Sequence, residues 1–370
     1  MIWSAEQDGA LKAVQRWQAD KAAPQVFRMF GYAGTGKTTL AKAIAEGIDG
    51  DVVFAAFTGK AALVLASKGV KASTIHSLIY RMHHPKDEAP TFKLSSASPA
   101  SGASLIVIDE CSMVDEELGR DLLSFGRKVL VLGDPAQLPP LRGGGFFTNA
   151  PPDVMLTEIH RQAADNPIIA MASDVRLGKA VGQGTYGESR VVTRDGISTE
   201  EVMGADQTLV GKNTTRRAFN RRFREHLGYL EAKAGWSETY PVKGDRLVCL
   251  RNRKTAGLLN GGLWSVRSAR PGGAKSIVVD IESTDLPDQL THTAKVRREF
   301  FTGQEQELTW DARRNYDEFD FGYALTVHKA QGSQWGNVVL FDQSAAFGAD
   351  RNRWLYTGIT RAAERVTIVM

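Results

Sequence analysis

The chain has 370 residues, 42% of them hydrophobic, and its 46 basic and 42 acidic side chains give a formal net charge of +4. This length predicts two or three domains, the apolar fraction excludes a disordered polypeptide, and the mild charge permits a nucleic-acid partner without requiring one. Two cysteines are too few for a Cys₄ zinc site, and neither a secretory signal nor a membrane-spanning apolar run is seen, so we expect a cytoplasmic protein with reduced thiols and no membrane partner.

The first predicted element is a phosphate loop between a strand and a helix. Residues 31–38 read Gly-Tyr-Ala-Gly-Thr-Gly-Lys-Thr, with a strand pattern at 26–30 and a helix pattern at 39–46. The glycines let backbone N–H groups surround phosphate oxygens, and the helix N-terminus adds partial positive charge. Lys37 is placed to contact the β- and γ-phosphates and Thr38 to ligate Mg²⁺. The sequence therefore predicts binding and hydrolysis of a nucleoside triphosphate.

Continuous apolar runs of strand length alternate with helical segments through the first 150 residues. Such runs occur at 52–57, 104–108 and 128–132, with a helical pattern at 59–66. They are typical of parallel strands covered on both faces, which predicts a doubly wound α/β fold. The proline- and serine-containing stretch at 81–103 breaks the pattern and indicates either a small β-hairpin insertion or a surface loop.

Polar side chains follow two of these strands. Asp109 and Glu110 end the run at 104–108, where one carboxylate can hold Mg²⁺ and the next can polarise the attacking water. Gln137 lies in a turn rich in glycine and proline after the following strand, and its amide can contact both a γ-phosphate and water. All three side chains are expected beside the phosphate loop.

A second α/β block begins near residue 151 and is interrupted at 241–315 by short alternating strands that are typical of an all-β module. A strand pattern at 207–210 precedes a basic helix, and the block closes with strands near 338–341 and 366–369. The basic side chains of that helix are Lys212, Arg216, Arg217, Arg221, Arg222 and Arg224. They are compatible with a solvated face or with a track for the DNA backbone.

Two arginines and a repeated pattern carry the remaining chemistry. Arg161 and Arg361 offer planar guanidinium groups, which suit phosphate oxygens and can stabilise transition-state charge. The pattern Thr-x-His occurs once in each half, at Thr74 and His76 and at Thr326 and His328. Hydroxyl and imidazole groups commonly donate to nucleic-acid phosphates, so both segments are candidates for nucleic-acid contact.

In their order, these segments resemble the motifs of superfamily 1 helicases, most closely the RecD-like branch with its phage Dda-like and short members. The resemblance covers nearly the whole chain: the glutamine motif at 4–7, motif I at 31–39, Ia at 58–62, Ib at 74–77, II at 109–110, III at 133–140, IV at 160–162, V at 323–333 and VI at 356–361. Two positions depart from the family pattern, since Phe57 replaces the usual proline of motif Ia and Gln334 replaces a frequent glutamate of motif V.

The resemblance implies an α/β fold of two RecA-like parallel-sheet cores (P-loop NTPase) with ATP between them. The first core is expected over 1–150 with a strand-separating pin or hairpin at 81–103, the second over 151–240 and 316–370, and an SH3-like all-β insertion over 241–315.

The resemblance also implies site residues. ATP is assigned to Gln7, Gly34, Thr35, Gly36, Lys37, Thr38, Thr39, Arg161, Gly332 and Arg361, and Mg²⁺ to Thr38 and Asp109. Catalysis is assigned to Lys37, Glu110, Gln137, Arg161 and Arg361. DNA is assigned to Thr58, Lys60, Thr74, His76, Phe92, Asn213, Arg216, Thr326 and His328.

The implied activity is ATP-dependent unwinding of duplex DNA by a motor that moves 5′ to 3′ on single-stranded DNA and acts at single-strand–duplex junctions. The alternative is a translocase whose ATPase is stimulated by single strands but which unwinds little. A small-molecule kinase or an inactive binding module fits the second-core arginines and the intact Lys37, Asp109 and Glu110 less well. The family setting implies a monomeric, stand-alone motor in a bacterial or phage-infected cytosol, with single-strand-binding, replication or recombination proteins as partners.

Overall fold

The computed structural model describes residues 3–83, 91–140, 145–159, 165–230, 239–253, 256–285 and 290–370. These residues form two cores built on parallel sheets, a two-stranded hairpin and an antiparallel five-stranded sheet. Within the same residues, no helix combines the length and the apolar character that a bilayer span requires. Both cysteines, Cys111 and Cys249, are free and buried.

The first core is a six-stranded parallel sheet with helices on its faces. Its strands are β1 (Val26–Gly31), β2 (Val52–Ala56), β3 (Ala72–Thr74), β6 (Leu105–Asp109), β7 (Val129–Gly133) and β8 (Val154–Leu156). Its helices are α1 (Ala5–Ala19), α2 (Lys37–Glu46), α3 (Gly59–Ser67), α4 (Ile75–Ile79), α5 (Pro99–Gly102) and α6 (Glu116–Leu123). The strand order is β3-β2-β6-β7-β1-β8, and every residue of β7 is buried, as expected for a central strand covered on both faces. The predicted α/β fold with parallel sheets is confirmed.

The first sheet extends past the predicted limit at residue 150. Strand β8 pairs parallel with β1, so that Val154 lies opposite Met29 and Leu156 opposite Gly31. A strand of three residues is too short to produce a periodic sequence signal, which is why only the tertiary structure reveals its place in the first core.

A two-stranded antiparallel hairpin leaves the first core between α4 and α5. It consists of β4 (Tyr80–His83) and β5 (Thr91–Leu94), with Tyr80 opposite Leu94 and Arg81 opposite Lys93. The hairpin occupies the stretch in which the sequence allowed either a hairpin or a loop. The side chain of Phe92, assigned to the pin, lies outside the described residues, as do residues 84–90.

The second core is a six-stranded sheet whose pairs are parallel except at one edge. Its strands are β9 (Gly184–Tyr186), β10 (Ser189–Val192), β11 (Gln207–Val210), β17 (Ala324–Thr326), β18 (Trp335–Phe341) and β19 (Ala362–Val369). Its helices are α7 (Pro167–Arg176), α8 (Thr199–Met203), α9 (Asn213–His226) and α12 (Arg351–Ile359). The order is β17-β11-β18-β19-β10-β9, with β9 antiparallel to β10. The apolar core of this unit centres on the fully buried Trp354 and Leu340.

An antiparallel sheet, here called the β-module, is inserted into the second core. Its elements are β12 (Arg246–Cys249), β13 (Leu263–Pro271), β14 (Ser276–Ser283), β15 (Thr291–Arg297), α10 (Arg298–Thr302), α11 (Trp310–Arg313) and β16 (Phe319–Phe321). The sheet order is β15-β14-β13-β12-β16. Strand β16 lies beyond the predicted limit at residue 315 because Phe321 pairs with Leu247 and Phe319 with Cys249, which places it at the edge of this sheet.

Helix α9 is not a continuous basic track, because two of its arginines are buried in ion pairs. Arg216 Nη1 lies 2.6 Å from Asp320 Oδ2, and Arg224 Nε lies 3.0 Å from Asp245 Oδ1. Each arginine is only 2% exposed. The assignment of Arg216 to DNA is therefore wrong, since its guanidinium is enclosed and already neutralised by a carboxylate.

The Arg224–Asp245 pair predicts a large loss of stability when it is broken. Replacing Arg224 by methionine leaves the buried Asp245 carboxylate without its cation, and we expect the free energy of unfolding to fall by about 3–5 kcal/mol. Urea denaturation measures this loss. The matched control is Arg222→Met on the exposed face of the same helix, expected within about 0.5 kcal/mol of the wild type. Equal losses in both variants would contradict a special role for the buried pair.

Candidate active site

The predicted catalytic groups converge where neighbouring strands of the first sheet end. The phosphate loop follows β1, Asp109 ends β6, and Asp134 follows β7, and these three strands are adjacent in the sheet. Because parallel strands present their carboxyl ends at one edge, the three segments meet there. Together with Gly332 and Arg361 of the second core, they line a pocket of about 360 Å³. The pocket therefore lies between the two cores.

Most of the residues assigned to ATP, Mg²⁺ and catalysis lie around this pocket. Its lining includes Gly34, Gly36, Lys37, Thr38, Thr39, Asp109, Glu110, Gln137, Gly332 and Arg361. Thr35 of the loop and Gln7 of α1 are both buried, and the Gln7 side-chain amide donates to the Thr35 carbonyl at 3.1 Å. Arg161 lies outside the described residues.

The phosphate loop brings main-chain donors and one cation to the start of α2. Gly34 and Gly36 have φ angles of +82° and +78°, which glycine adopts without the steric cost that other residues incur. The Lys37 ammonium donates to the carbonyls of Gly31 and Tyr32 at 2.6 and 2.9 Å. This cation therefore lies over the loop, at the helix N-terminus, where an anion is favoured.

A hydroxyl and a carboxylate form a pair of oxygen ligands beside the loop. Thr38 Oγ1 donates to Asp109 Oδ2 at 3.0 Å, and the Glu110 N–H donates to Asp109 Oδ1 at 2.8 Å. Burial, and next the neighbouring Glu110 charge, raise the pKa of Asp109. Oxygen ligands suit Mg²⁺, which keeps part of its shell for water and substrate phosphates. The described residues contain no group of three or more His, Cys, Asp or Glu that could hold a metal ion.

Glu110 carries the only positive φ among the described non-glycine residues. Its φ and ψ of 53° and 47° lie in the left-handed region, which costs an L-residue roughly 1–2 kcal/mol. Such strain persists only where the surrounding structure imposes it, and it is concentrated at functional sites. Here it accompanies the placement of two consecutive carboxylates, Asp109 and Glu110, in the lining of one pocket.

Gln137 enters the pocket on a turn that Asp134 organises. Asp134 accepts from the Ala136 N–H through Oδ1 at 3.0 Å, and its main-chain carbonyl accepts from the Gln137 N–H at 3.1 Å. The Gln137 Oε1 atom is buried without a hydrogen-bond partner among the described residues. An unpaired buried acceptor costs about 1–3 kcal/mol, so this amide is available to a ligand or a water molecule in the pocket.

Arg361 reaches the pocket from the second core and is only 5% exposed. Its Nε donates to the Thr357 carbonyl and its Nη1 to the Ser333 carbonyl, both at 3.1 Å. No carboxylate among the described residues forms an ion pair with it. A buried guanidinium held only by neutral oxygens is favourably placed for an anion in the pocket.

Hydrogen bonds between the cores involve residues that sequence reasoning missed. The Tyr356 hydroxyl donates to Asp134 Oδ2 at 2.6 Å and accepts from the Ala33 N–H at 2.9 Å. Two further bonds join the cores at Leu138, whose N–H donates to Thr357 Oγ1 at 3.0 Å and whose carbonyl accepts from Gln331 Nε2 at 2.9 Å. All of these residues lie inside the motifs named above, but hydrogen-bond partners so far apart in the sequence leave no local pattern that would predict their pairing.

The two Thr-x-His segments occupy matching places in the two cores. Thr74 ends β3 and Thr326 ends β17, which are edge strands of their sheets. Thr74 Oγ1 accepts from the Ser77 N–H at 3.1 Å, and Thr326 Oγ1 accepts from the Lys329 N–H at 3.3 Å. Each hydroxyl therefore stabilises the turn that carries its histidine.

Both histidines pack against a phenylalanine. The centroid of the His76 ring lies 6.1 Å from that of the Phe57 ring, and the centroid of the His328 ring lies 5.5 Å from that of the Phe347 ring. Desolvation lowers the pKa of both imidazoles, and Asp115 and Asp350 oppose this only in part. Each imidazole is thus predominantly neutral at pH 7, with one N–H to donate.

The other residues assigned to DNA differ in how exposed their side chains are and in which bonds they already make. Thr58 caps α3 by accepting from the Ala61 N–H at 3.1 Å, and Asn213 is exposed at the start of α9. Lys60 is ion-paired with Asp285 of the β-module and is largely buried. A phosphate contact by Lys60 therefore requires that pair to open.

Two protein-family models match parts of this chain. A family model described as an AAA domain matches residues 4–194, and one described as a UvrD-like helicase C-terminal domain matches residues 321–369. The ATP-dependent RecD2 DNA helicase of Deinococcus radiodurans is 32% identical over 361 residues, which are 90% of this chain and 45% of that protein. The ATP-dependent DNA helicase dda of phage T4 is 34% identical over 165 residues, 40% of this chain and 37% of that protein. The chain spans less than half the length of these relatives.

Solved structures show the same fold. A structure of Pif1 helicases unwinding forked double-stranded DNA aligns with a TM-score of 0.62 at 19% identity, covering 99% of this chain and 92% of that chain. A Bacteroides Pif1 helicase in complex with ADP-AlF3 and single-stranded DNA aligns with a TM-score of 0.60, again at 19% identity and with the same coverage. At this identity, the likeness concerns the fold.

Proposed function

We propose that this chain, which belongs to the superfamily 1 DNA helicases of the RecD-like branch, uses ATP hydrolysis to move 5′ to 3′ along single-stranded DNA and to unwind duplex DNA. The observation that carries the proposal is the pocket between the cores, which Lys37, Glu110 and Gln137 enter from one side and Arg361 from the other. Because groups from both cores surround the same pocket, hydrolysis there depends on how closely the cores approach.

ATP fits the donors of this pocket. The Lys37 ammonium, which now donates to the Gly31 and Tyr32 carbonyls, can turn to the β- and γ-phosphate oxygens. Arg361, which lines the same pocket, would stabilise the charge that develops on the transferred phosphoryl group, and Arg161 is assigned to the same task by family resemblance alone. Gln7 supports the loop through the Thr35 carbonyl, and its assignment to ATP stays a prediction.

Two carboxylates divide the remaining tasks. Asp109 and Thr38 would hold Mg²⁺, which when bound supplies positive charge at the β- and γ-phosphates. Glu110 would accept a proton from the attacking water, and Gln137, whose amide oxygen lacks a partner among the described residues, would orient that water.

Single-stranded DNA would cross both cores along the edges that carry the Thr-x-His segments. His76 in the first core and His328 in the second offer neutral N–H donors, and Thr58 and Asn213 lie at the ends of the adjacent strands. The hairpin β4–β5 would act as the strand-separating pin with Phe92, and the β-module would take the place of the family's SH3-like insertion. We further propose that the motor acts as a cytosolic monomer alongside single-strand-binding, replication or recombination proteins.

Strand displacement with Mg²⁺ and ATP on 5′-tailed, 3′-tailed and blunt duplexes tests the proposal. We expect unwinding of the 5′-tailed duplex alone. Unwinding from the 3′ tail would contradict the polarity. If no duplex is opened although single strands stimulate the ATPase, the chain is the translocase described above as the alternative. An ATPase that does not respond to single strands would refute the motor itself.

A further inference from the structure

Tyr356 connects two parts of the nucleotide pocket that belong to the other core. It lies on α12 of the second core, and its ring is buried. Its hydroxyl accepts from Ala33 in the phosphate loop and donates to Asp134 in the turn after β7. A phenolic hydroxyl has one proton to donate, and this arrangement uses it on a carboxylate while an N–H fills an acceptor site.

We infer that Tyr356 is a positioning residue, which couples closure of the two cores to the placement of Gln137 for hydrolysis. This inference rests on the proposed function, because it requires an ATPase that responds to DNA.

The first step of the argument concerns Asp134. Its side chain is 1% exposed, and one carboxylate oxygen accepts from Tyr356 while the other accepts from the Ala136 N–H. Its main-chain carbonyl accepts from the Gln137 N–H. The Tyr356 hydroxyl of the second core thus binds Asp134, the residue that shapes the turn carrying Gln137.

The second step concerns the direction of the bond. Burial, and next the neighbouring Asp134 carboxylate, raise the pKa of Tyr356. The hydroxyl consequently keeps its proton at physiological pH and remains a donor. Charge-assisted hydrogen bonds of this kind are short and directional, so a small separation of the cores weakens the bond.

The third step is that one hydroxyl serves both segments. If the cores separate, the phosphate loop and the turn after β7 lose the same partner together. The other bonds between the cores at this turn, from Thr357 and Gln331, reach only the main chain of Leu138. They hold the turn, but they contact neither the Asp134 carboxylate nor the phosphate loop.

The test is Tyr356→Phe, which keeps the buried ring and removes only the hydroxyl. ATP hydrolysis is measured with and without oligodeoxythymidine. We expect the DNA-stimulated kcat to fall roughly tenfold or more, as expected for a lost hydrogen bond to a charged group. The DNA-free kcat should fall less than the stimulated kcat, because the inferred role lies in the closure of the cores that DNA promotes. The KM for ATP should stay within about twofold, because ATP binding itself is not the step affected.

The matched control is Thr357→Val, which removes a neighbouring hydroxyl that also bonds across the cores. It should retain most of the stimulation, whereas equal losses in both variants would mean that any bond at this interface has the same effect and would overturn the inference. Asp134→Asn completes a double-mutant cycle. If Tyr356 acts through Asp134, the double variant should lose no more stimulation than the more affected single variant.

Three results would overturn the inference: unchanged stimulation in Tyr356→Phe, a raised KM with normal kcat, or equal losses with and without DNA. A wild-type chain that hydrolyses ATP without responding to the oligonucleotide would instead refute the proposed function. A lowered thermal midpoint in Tyr356→Phe is separated from the coupling effect by the DNA-free kcat, because a purely structural loss would lower the rates with and without DNA equally.

Discussion

Lys37→Ala should lose at least about a hundredfold of the DNA-stimulated ATPase rate, because it removes the cation that we propose faces the developing phosphate charge. In the structure, the Lys37 ammonium is held over the phosphate loop by the Gly31 and Tyr32 carbonyls, at the N-terminus of α2. Alanine is a good helix former, so α2 itself should remain intact. Steady-state hydrolysis with saturating oligodeoxythymidine measures the effect.

The matched control is Lys42→Ala on the same helix. The Lys42 ammonium lies away from the loop and donates to the Lys68 carbonyl at 3.4 Å, so its loss should leave turnover close to that of the wild type. Both variants should still bind single-stranded DNA, because neither lysine lies at the edge strands that carry the Thr-x-His segments. Full stimulated turnover in Lys37→Ala would remove this loop from the active site.

The parts of the site that the sequence predicted are those whose signals are local. A phosphate loop needs glycines, a lysine and a threonine within eight residues, with a strand before and a helix after, and all of these are contiguous. Asp109 and Gln137 could be placed beside it because each follows a buried strand, and parallel strands end at the same edge of their sheet.

The parts that the sequence did not predict depend on partners far along the chain. Arg216 and Arg224 have the composition of a DNA-facing helix, but their partners Asp320 and Asp245 belong to the β-module and bury both guanidinium groups. The pairing of Lys60 with Asp285 has the same origin. Charge alone could not distinguish a DNA contact from a structural ion pair, since both need the same side chain.

Strands of three residues and backbone strain could not be predicted from the sequence either. Strands β8 and β16 are set by their neighbours in the sheets rather than by a periodic pattern of their own, so the limits predicted at residues 150 and 315 each fall a few residues too early. The left-handed backbone at Glu110 contradicts the local preference of glutamate and is imposed by the site.

The arginine of the second core gives the other large expected effect. In Arg361→Ala, single-stranded DNA affinity should remain near that of the wild type, while stimulated kcat should fall by about a thousandfold, the lower end for an arginine that stabilises phosphoryl transfer. Arg361→Lys should recover little of this loss, because an ammonium cannot keep the Thr357 and Ser333 carbonyls and present a planar fork to the phosphate together.

The comparison that isolates the role of Arg361 is Arg353→Ala. Arg353 lies two turns earlier in the chain on α12, where its half-exposed guanidinium pairs with Asp350, and surface pairs of this kind contribute about 0–1 kcal/mol. Loss of this pair should therefore leave hydrolysis unchanged.

Measuring kcat, the KM for ATP and the Kd for oligodeoxythymidine in all three variants separates the possible outcomes. Normal turnover in Arg361→Ala would show that the second core adds no charge to the reaction. A fall in DNA affinity equal to the fall in kcat would show that Arg361 supports the fold of the DNA-binding edge instead. A fall confined to kcat would support closure of the two cores on the nucleotide during hydrolysis, because Lys37 of the first core and Arg361 of the second line the same pocket.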